Sequence, residues 1–368
     1  MKLLHIADLH LGKRVCEYPM LEDQKHILKE IADIARRQEA DAVLIAGDVY
    51  DRPVPAQEAV SLLSDFLCEM AKEGIKVYLI AGNHDSAERL DFCTDLLNDS
   101  GIHIVGECHG AAQTMLLEKG EERVAIHLIP HFRPVALRRT LGAEISTSEE
   151  AFRALTERMD LTLAPVNILL AHAFVTGAQT CESEQVVVGT VDAVPGDLFS
   201  RFDYVALGHL HRPQTIGGNV RYAGSPLAYS FSEINAPKTV TVLDTQSESL
   251  VQTVALHPLH AMREVKGSLA ELLSMPYSED YIRAVVTDED VAPDARVSLQ
   301  GTFPNLMRFA VENSCTAHEE EVLFGDSVML RDPLELFAEF YVQQNGKEAD
   351  EPRLAVMKAL FEGEEGAQ

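Results

Sequence analysis

The sequence predicts an α/β protein: a two-sheet sandwich flanked by helices, then a small α/β accessory domain and a helical C-terminal tail. Three observations predict it. Short runs rich in Val, Ile and Leu, bounded by Gly or Asp, read as buried strands. Longer stretches between them carry apolar residues at helical spacing. After His211 the texture changes to shorter strand-like segments, 220–225 and 239–243, which fit a second, more antiparallel sheet.

The elements follow in order. Leu3–Ala7 is a strand, and Met20–Arg37 places Ile27, Leu28, Ile31, Ile34 and Ala35 on one helical face. Ala42–Gly47 is the next strand. Pro53 and Pro55 then mark the start of a helix over Ala56–Lys72, with Ala59, Leu63, Phe66 and Met70 on its buried side. Lys76–Gly82, Val166–Ala171 and Tyr204–Gly208 are further strands. Strand–helix–strand alternation implies right-handed crossovers and a parallel sheet. Residues 1–260 therefore form the first domain. Residues 261–328 form an accessory domain, with strands at Met262–Lys266, Tyr281–Thr287 and Met307–Val311 and helices at Ser268–Ser274 and Asp294–Leu299. In residues 329–368, Leu334, Phe337, Phe340 and Tyr341 recur at helical spacing, as do Leu354, Met357, Leu360 and Phe361. Such stripes either pack on the accessory domain or bury themselves on a partner.

Chemistry enters where the strands stop. The five long apolar runs are followed by Asp8-Leu9-His10, Gly47-Asp48, Gly82-Asn83-His84-Asp85, His172, and Gly208-His209-Leu210-His211. Ligands of α/β sheets sit at the carboxyl ends of strands, so these polar residues should converge on one rim. Taken singly each motif is ordinary: a His after a strand is most often a loop residue, and Gly-Asp is common turn chemistry. Five repetitions of one placement in one chain are not ordinary. Two aspartates, an asparagine and several histidines on a rim make an oxygen–nitrogen site with room for two divalent ions, which is a hydrolytic centre.

The bulk numbers set bounds. At 368 residues, two domains and a tail are the natural division. With 46% hydrophobic and 24% charged residues, the composition is that of a globular protein. The first strand begins at once, without a signal-peptide pattern, and no run approaches a membrane span. Six cysteines lie scattered without CxxC spacing, which points to free thiols in a reducing cytoplasm and away from a zinc–thiolate site. The net charge of −27 is at odds with a self-sufficient nucleic-acid binder. Either cations at the rim reverse the local sign, or a basic partner supplies the grip, or the substrate is not nucleic acid.

The set Asp8-x-His10, Gly47-Asp48-x-x-Asp51, Gly82-Asn83-His84-Asp85, His172 and Gly208-His209-x-His211 resembles the calcineurin-like metallophosphoesterase superfamily. Asp8-Leu9-His10-Leu11-Gly12, Ile129-Pro130-His131-Phe132-Arg133-Pro134, Gly224-Ser225-Pro226 and Pro333-Leu334-Glu335-Leu336-Phe337 narrow the resemblance to the nuclease subunits of bacterial SbcCD complexes, over essentially the whole chain. The resemblance implies one metal held by Asp8, His10 and His211, a second by Asn83, His172 and His209, and Asp48 bridging them. It also implies His84 as a catalytic group that serves the leaving oxygen without binding metal. Asp51 or Asp85 would orient it. The metal would be Mn²⁺, and a donor set of imidazole, carboxylate and amide without thiolate suits Mn²⁺, Fe or Zn²⁺ better than Ca²⁺ or Mg²⁺. The implied function is exonuclease and endonuclease cleavage of DNA in repair, recombination and replication. The implied partners are an SbcC-type coiled-coil ATPase and a second copy of the chain, as a homodimer within a heterotetramer. The rival readings are a stand-alone phosphoesterase for small or cyclic-nucleotide substrates, which the charge favours, and a scaffold that has lost catalysis, which the intact motifs oppose.

Overall fold

A computed structural model describes residues 1–141, 145–184, 193–247 and 249–313, together with residues 334, 337, 341, 353, 354, 357 and 358. In chain order the main elements are β1 (Lys2–Ile6), α1 (Leu21–Gln38), β2 (Ala42–Ala46), α2 (Gln57–Lys72), β3 (Lys76–Ile80), α3 (Ala87–Leu90), α4 (Thr94–Asn98) and β4 (Ile102–Val105). Then come β5 (Gln113–Lys119), β6 (Glu122–Ile129), α5 (Pro134–Leu141), α6 (Ser148–Glu157), β7 (Val166–His172), β8 (Tyr204–Gly208), β9 (Gln214–Ile216) and β10 (Val220–Tyr222). Last are β11 (Thr239–Asp244), β12 (Val251–Ala255), β13 (Met262–Gly267), α7 (Leu269–Leu273), β14 (Tyr281–Val286), α8 (Ala295–Gln300) and β15 (Leu306–Val311).

Two six-stranded sheets carry the first domain, in the orders β12-β11-β1-β2-β3-β4 and β9-β10-β8-β7-β6-β5. Strands β1 to β4 run parallel, as do β6, β7, β8 and β10; antiparallel strands close one edge of the first sheet, whose other edge is β4, and both edges of the second. Side chains alternate across each strand. On β1, Leu3 and Ala7 face the other sheet and pack with Leu44, Ile80, Ile126, Leu170 and Ala206, while Leu4 and Ile6 join the layer of α1 and α2. On the far side, Leu169, Ala171, Val205 and Leu207 meet Leu137 and Leu141 of α5 and Phe152 and Leu155 of α6. With both faces covered, strands must be apolar throughout, which is why they read as continuous runs instead of alternating ones.

The helical stripes fall where the spacing put them. Ile27, Leu28, Ile31, Ile34 and Ala35 of α1 are buried, as are Ala59, Leu63, Phe66 and Met70 of α2. Each large side chain in these stripes contributes about 1.5–3 kcal/mol through burial. The division between the sheets differs from the sequence reading. The second sheet begins well before His211, at Gln113, and it already contains β7 and β8. The segment at 239–243 returns to the first sheet, antiparallel to β1. Alternating apolar runs indicate strands but not which of two stacked sheets each one enters.

The three strands β13-β14-β15 form a small sheet with α7 and α8. Chain packing groups Met1–Val286 with Ala292–Ala310 as one unit, and Thr287–Val291 with Val311–Gln368 as another. In the tail, Leu334, Phe337, Tyr341, Leu354 and Met357 are helical and half-buried, and the Phe337 and Tyr341 rings lie 6.0 Å apart. Phe340, Leu360 and Phe361 fall outside the described residues. Among the described residues, no helix is long and apolar enough to cross a membrane. The five described cysteines are free; Cys68 and Cys93 are exposed, so packing does not account for those two.

Candidate metal centre

The carboxyl ends of β1, β2 and β3 in one sheet meet those of β7 and β8 in the other. Close approach of the backbones makes this possible: a Cβ at Gly208 would stand 1.8 Å from the Ala46 carbonyl, and one at Gly82 would stand 2.1 Å from Asp48 Oδ1. The loops after β1 and β2 run side by side, with Asp8 N donating to Gly47 O and His10 N donating to Asp48 O. Four polar residues on the rim have positive φ although none is glycine: Asp8 (53°), His10 (44°), Asp48 (47°) and His209 (100°). Such backbone is unfavourable for L-residues and collects where surrounding structure holds side chains in place for chemistry.

Every sequence-predicted ligand reaches this rim. Asp8, His10, Asp48, His172 and His211 are buried, and Asn83 and His209 are partly so. His10 Nε2 and His211 Nε2 lie 3.1 Å apart. Asn83 Oδ1 lies 2.9 Å from His172 Nε2 and 3.0 Å from His209 Nδ1. Asp48 Oδ2 stands between the two groups, 3.7 Å from His10 Nε2 and 3.5 Å from His172 Nε2. Two donors about 2.1 Å from one ion and at right angles are themselves about 3 Å apart, so these separations suit shared cations.

The electrostatics test the fit further. Burial, followed by the Asp48 charge, raises the Asp8 carboxyl well above its ordinary range although His172 pulls it down. Burial works against ionised Asp48 too, but the charge and hydrogen bond of His172 outweigh it and hold Asp48 well below the usual range. His172 correspondingly rises to about 9 against its own burial. Burial holds His10 well below its ordinary value and His209 down at about 3, so both offer neutral lone pairs at physiological pH. Asp8 Oδ2 is buried without a hydrogen-bond partner. A divalent cation would relieve the paired buried carboxylates and the orphaned Asp8 oxygen, and neutral imidazoles are ready to bind it. The residues fit the metals.

His84 stands beside this set. Its backbone N donates to Asp48 Oδ1 at 2.9 Å, and its ring lies edge-on to His10 at 4.8 Å between centroids. His84, His10 and Asp48 each place a possible ligand atom within 4.8 Å of the others. The orienting contact differs from the expected carboxylate. His84 Nδ1 donates to the main-chain carbonyl of Asp51 at 3.0 Å. The Asp51 carboxylate takes Lys13 Nζ at 2.6 Å instead, and Asp85 accepts from the backbone N–H groups of Val49, Tyr50 and Gly82. Three backbone donors occupy both Asp85 oxygens and make it a loop brace. Neither acidic side chain hydrogen-bonds the imidazole.

Gln24, Ser183, Glu184 and Glu233, also near the rim, carried no signal of their own in the sequence. Gln24, on the first turn of α1, accepts from Gly12 N and donates to His10 O at 2.7 Å and to Tyr229 OH at 3.1 Å, so it braces the loop of Asp8 and His10. His131, one residue of the Ile129–Pro134 motif, sets its ring perpendicular to His172 at 6.2 Å. His211 is bounded by Ser183, Glu184 and Glu233. Polar residues isolated in a helix or loop have no periodicity to betray them; only their partners give them meaning.

Comparison with known proteins agrees with the geometry. Residues 1–213 match the family model for calcineurin-like phosphoesterases, and residues 258–345 match that for the type 5 capsule protein repressor C-terminal domain. The chain is thus a member of the calcineurin-like phosphoesterases, a class that implies divalent metals, and candidate residues to hold them are present. It is 31% identical over 332 residues to the SbcD component of the nuclease SbcCD from Staphylococcus epidermidis, covering 87% of each chain. It is 29% identical over 318 residues to the protein of the same name from Staphylococcus saprophyticus, covering 83% of this chain and 84% of that one. Within its class it belongs to the SbcD family.

Proposed function

We propose that the chain is a two-metal DNA phosphodiesterase. It would act as an exonuclease on duplex DNA and an endonuclease on hairpins and single strands, with an SbcC-type coiled-coil ATPase, in DNA repair, recombination and replication. The observation that carries this reading is the buried donor set itself, in a chain akin over 87% of its length to a protein named as part of a nuclease. Asp8, His10 and His211 would hold one ion, Asn83, His172 and His209 the other, with Asp48 shared; the 3.1 Å His10–His211 separation and the 2.9 and 3.0 Å separations of Asn83 from His172 and His209 support the pairing of those residues, while Asp8 has a possible ligand atom within 4.8 Å of both Asp48 and His172. Mn²⁺ suits this mixture of nitrogen and oxygen donors.

When bound, two such cations neutralise phosphate oxygens, lower the pKa of a water and set it in line with the leaving oxygen. The chain's own residues do the rest. Asp51 O accepts from His84 Nδ1–H and fixes the ring, so that in the imidazolium form the second proton, on Nε2, would be the one given to the departing alkoxide. Gln24 and Asp85 hold the loops that present Asp8, His10 and Asp48. Residues 261–328 would cap this rim and residues 329–368 would dock the ATPase.

The remaining partner is a second copy of the chain. Between α2 and the α3–α4 segment runs an apolar groove of about 620 Å³, lined by Val60, Leu63, Leu67 and Phe92 among others. Phe92 is 76% and the neighbouring Leu96 73% exposed. Large apolar side chains so exposed favour a protein contact, and a homodimer would cover them. Free thiols agree with a cytoplasmic setting.

The charge of −27 supports one rival, a phosphoesterase for small substrates. Cleavage of linear duplex and hairpin DNA, in Mn²⁺ and Mg²⁺, with and without the ATPase, decides between them. Manganese-dependent cutting stimulated by the ATPase is expected. Turnover of a small phosphodiester with no DNA cleavage in either condition would favour the rival.

A further inference from the structure

His211 is held by a chain of hydrogen bonds whose direction can be worked out proton by proton. Its Nδ1 lies 2.8 Å from Ser183 Oγ, and Ser183 Oγ lies 2.5 Å from Glu233 Oε1. Glu233 is 1% exposed and also accepts from Tyr229 N and from Ser230 Oγ. Its other strong partner is Lys238, whose Nζ stands 2.6 Å from Oε2 and also reaches the His211 carbonyl at 3.1 Å. A carboxylate with an ammonium group at that distance is ionised, so it can only accept. The single hydroxyl proton of Ser183 therefore goes to Glu233. Ser183 has only lone pairs left for His211, and Nδ1 must carry the imidazole proton. Nε2 is then the bare nitrogen, on the side where His10 Nε2 lies 3.1 Å away.

Stability alone is a poor reason for this arrangement. A buried ion pair is commonly replaceable by apolar residues of similar volume without loss of folding free energy. Its placement behind a ligand candidate gives it another reason. We propose that Ser183, Glu233 and Lys238 are positioning residues that fix the His211 tautomer and ring for one of the two ions. This rests on His211 being a ligand, as proposed above. Lys238 holds the charge on Glu233, Glu233 orders the Ser183 hydroxyl, and Ser183 orders the imidazole. Outer partners of metal-binding histidines typically change metal affinity by 10- to 100-fold when removed.

The test uses the full chain, stripped of metal and titrated with Mn²⁺ alone by calorimetry, with melting temperature followed in parallel. His211→Ala should lose one of two Mn²⁺ equivalents. Ser183→Ala should weaken one equivalent by about 10- to 100-fold and leave the other unchanged, and Ser183→Thr, which keeps the hydroxyl, should restore it. Nitrogen-15 spectra of the metal-free protein should show His211 as the Nδ1–H tautomer, and Ser183→Ala should shift that balance. Wild-type affinity at both positions in Ser183→Ala, while His211→Ala still loses an equivalent, would overturn the relay and leave the ligand reading standing. Two intact equivalents in His211→Ala would overturn both. Because Ser183 is not the buried charge, its two variants decide the matter even if Glu233→Gln fails to fold.

Discussion

Asp48 is the side chain that both halves of the candidate centre share, with Oδ2 3.7 Å from His10 and 3.5 Å from His172. Asp48→Asn removes the shared anion, so cations at the two positions repel with less screening. Manganese occupancy should fall at both, and cleavage by orders of magnitude, while the fold persists; near-normal manganese-dependent cleavage would refute the two-metal assignment. His84→Ala should separate chemistry from binding. Two Mn²⁺ equivalents and DNA engagement should survive, with cleavage slower by about 10²–10⁴-fold. An ion missing from His84→Ala by metal analysis would make it a ligand instead. His5 offers a third residue-scale test away from the rim. Burial between the sheets, helped by Arg221, drives its pKa down to about 3, with Nδ1 2.9 Å from Tyr204 OH. The native state keeps His5 neutral while the unfolded chain takes up a proton below about pH 6.5, so stability falls as pH drops through that window. Between pH 6.5 and 5 this amounts to about 2 kcal/mol. Urea denaturation of metal-free protein should show a flatter pH dependence for His5→Gln; equal slopes would rule the buried neutral histidine out as the cause.

At the scale of elements, legibility followed periodicity. The helices α1 and α2 and the strands β1, β2 and β3 were readable because each buries a regular set of side chains. So were the five strand ends, because β1, β2, β3, β7 and β8 each end at, or within three residues of, a residue with a metal-binding side chain. The split of those strands into three and two was not readable, since an inner-layer Leu on either sheet looks the same in sequence. Nor was the part played by Gln24, a polar residue amid the buried face of α1 whose worth lies in the loop it holds. The orienter of His84 escaped for a related reason: a main-chain carbonyl has no letter in the sequence. The groove beside α2 gives this scale its prediction. Phe92→Glu with Leu96→Glu should turn dimers into monomers in sedimentation while leaving Mn²⁺ binding unchanged, since both side chains are mostly exposed. Persistent dimers would place the contact on another face.

For the whole molecule, the acidic charge and the tail belong to one question, namely how the DNA proposed as substrate would reach the rim. A chain of net charge −27 repels phosphate at long range, so a cationic partner would have to deliver the substrate. Phe337→Glu with Tyr341→Glu places charge in the half-buried aromatic pair of the tail. Copurification with the ATPase should be lost, along with ATP-dependent cutting of duplex DNA, while Mn²⁺ binding and cleavage of a small phosphodiester continue. Should the variant instead melt early on its own yet still copurify, the stripe would be internal packing and the docking idea would fall.

The ligand candidates are spread from Asp8 to His211, and β1 gains its antiparallel neighbour only from Thr239–Asp244. Domains fold as units while the chain emerges from the ribosome, amino terminus first. A nascent chain of this protein holds Asp8, His10 and Asp48 early but lacks His172, His209 and His211, and its first sheet stays open along one edge. Synthesis broken off before His172 would therefore release a fragment with an incomplete set of donors and an unpaired strand, a candidate for proteolysis.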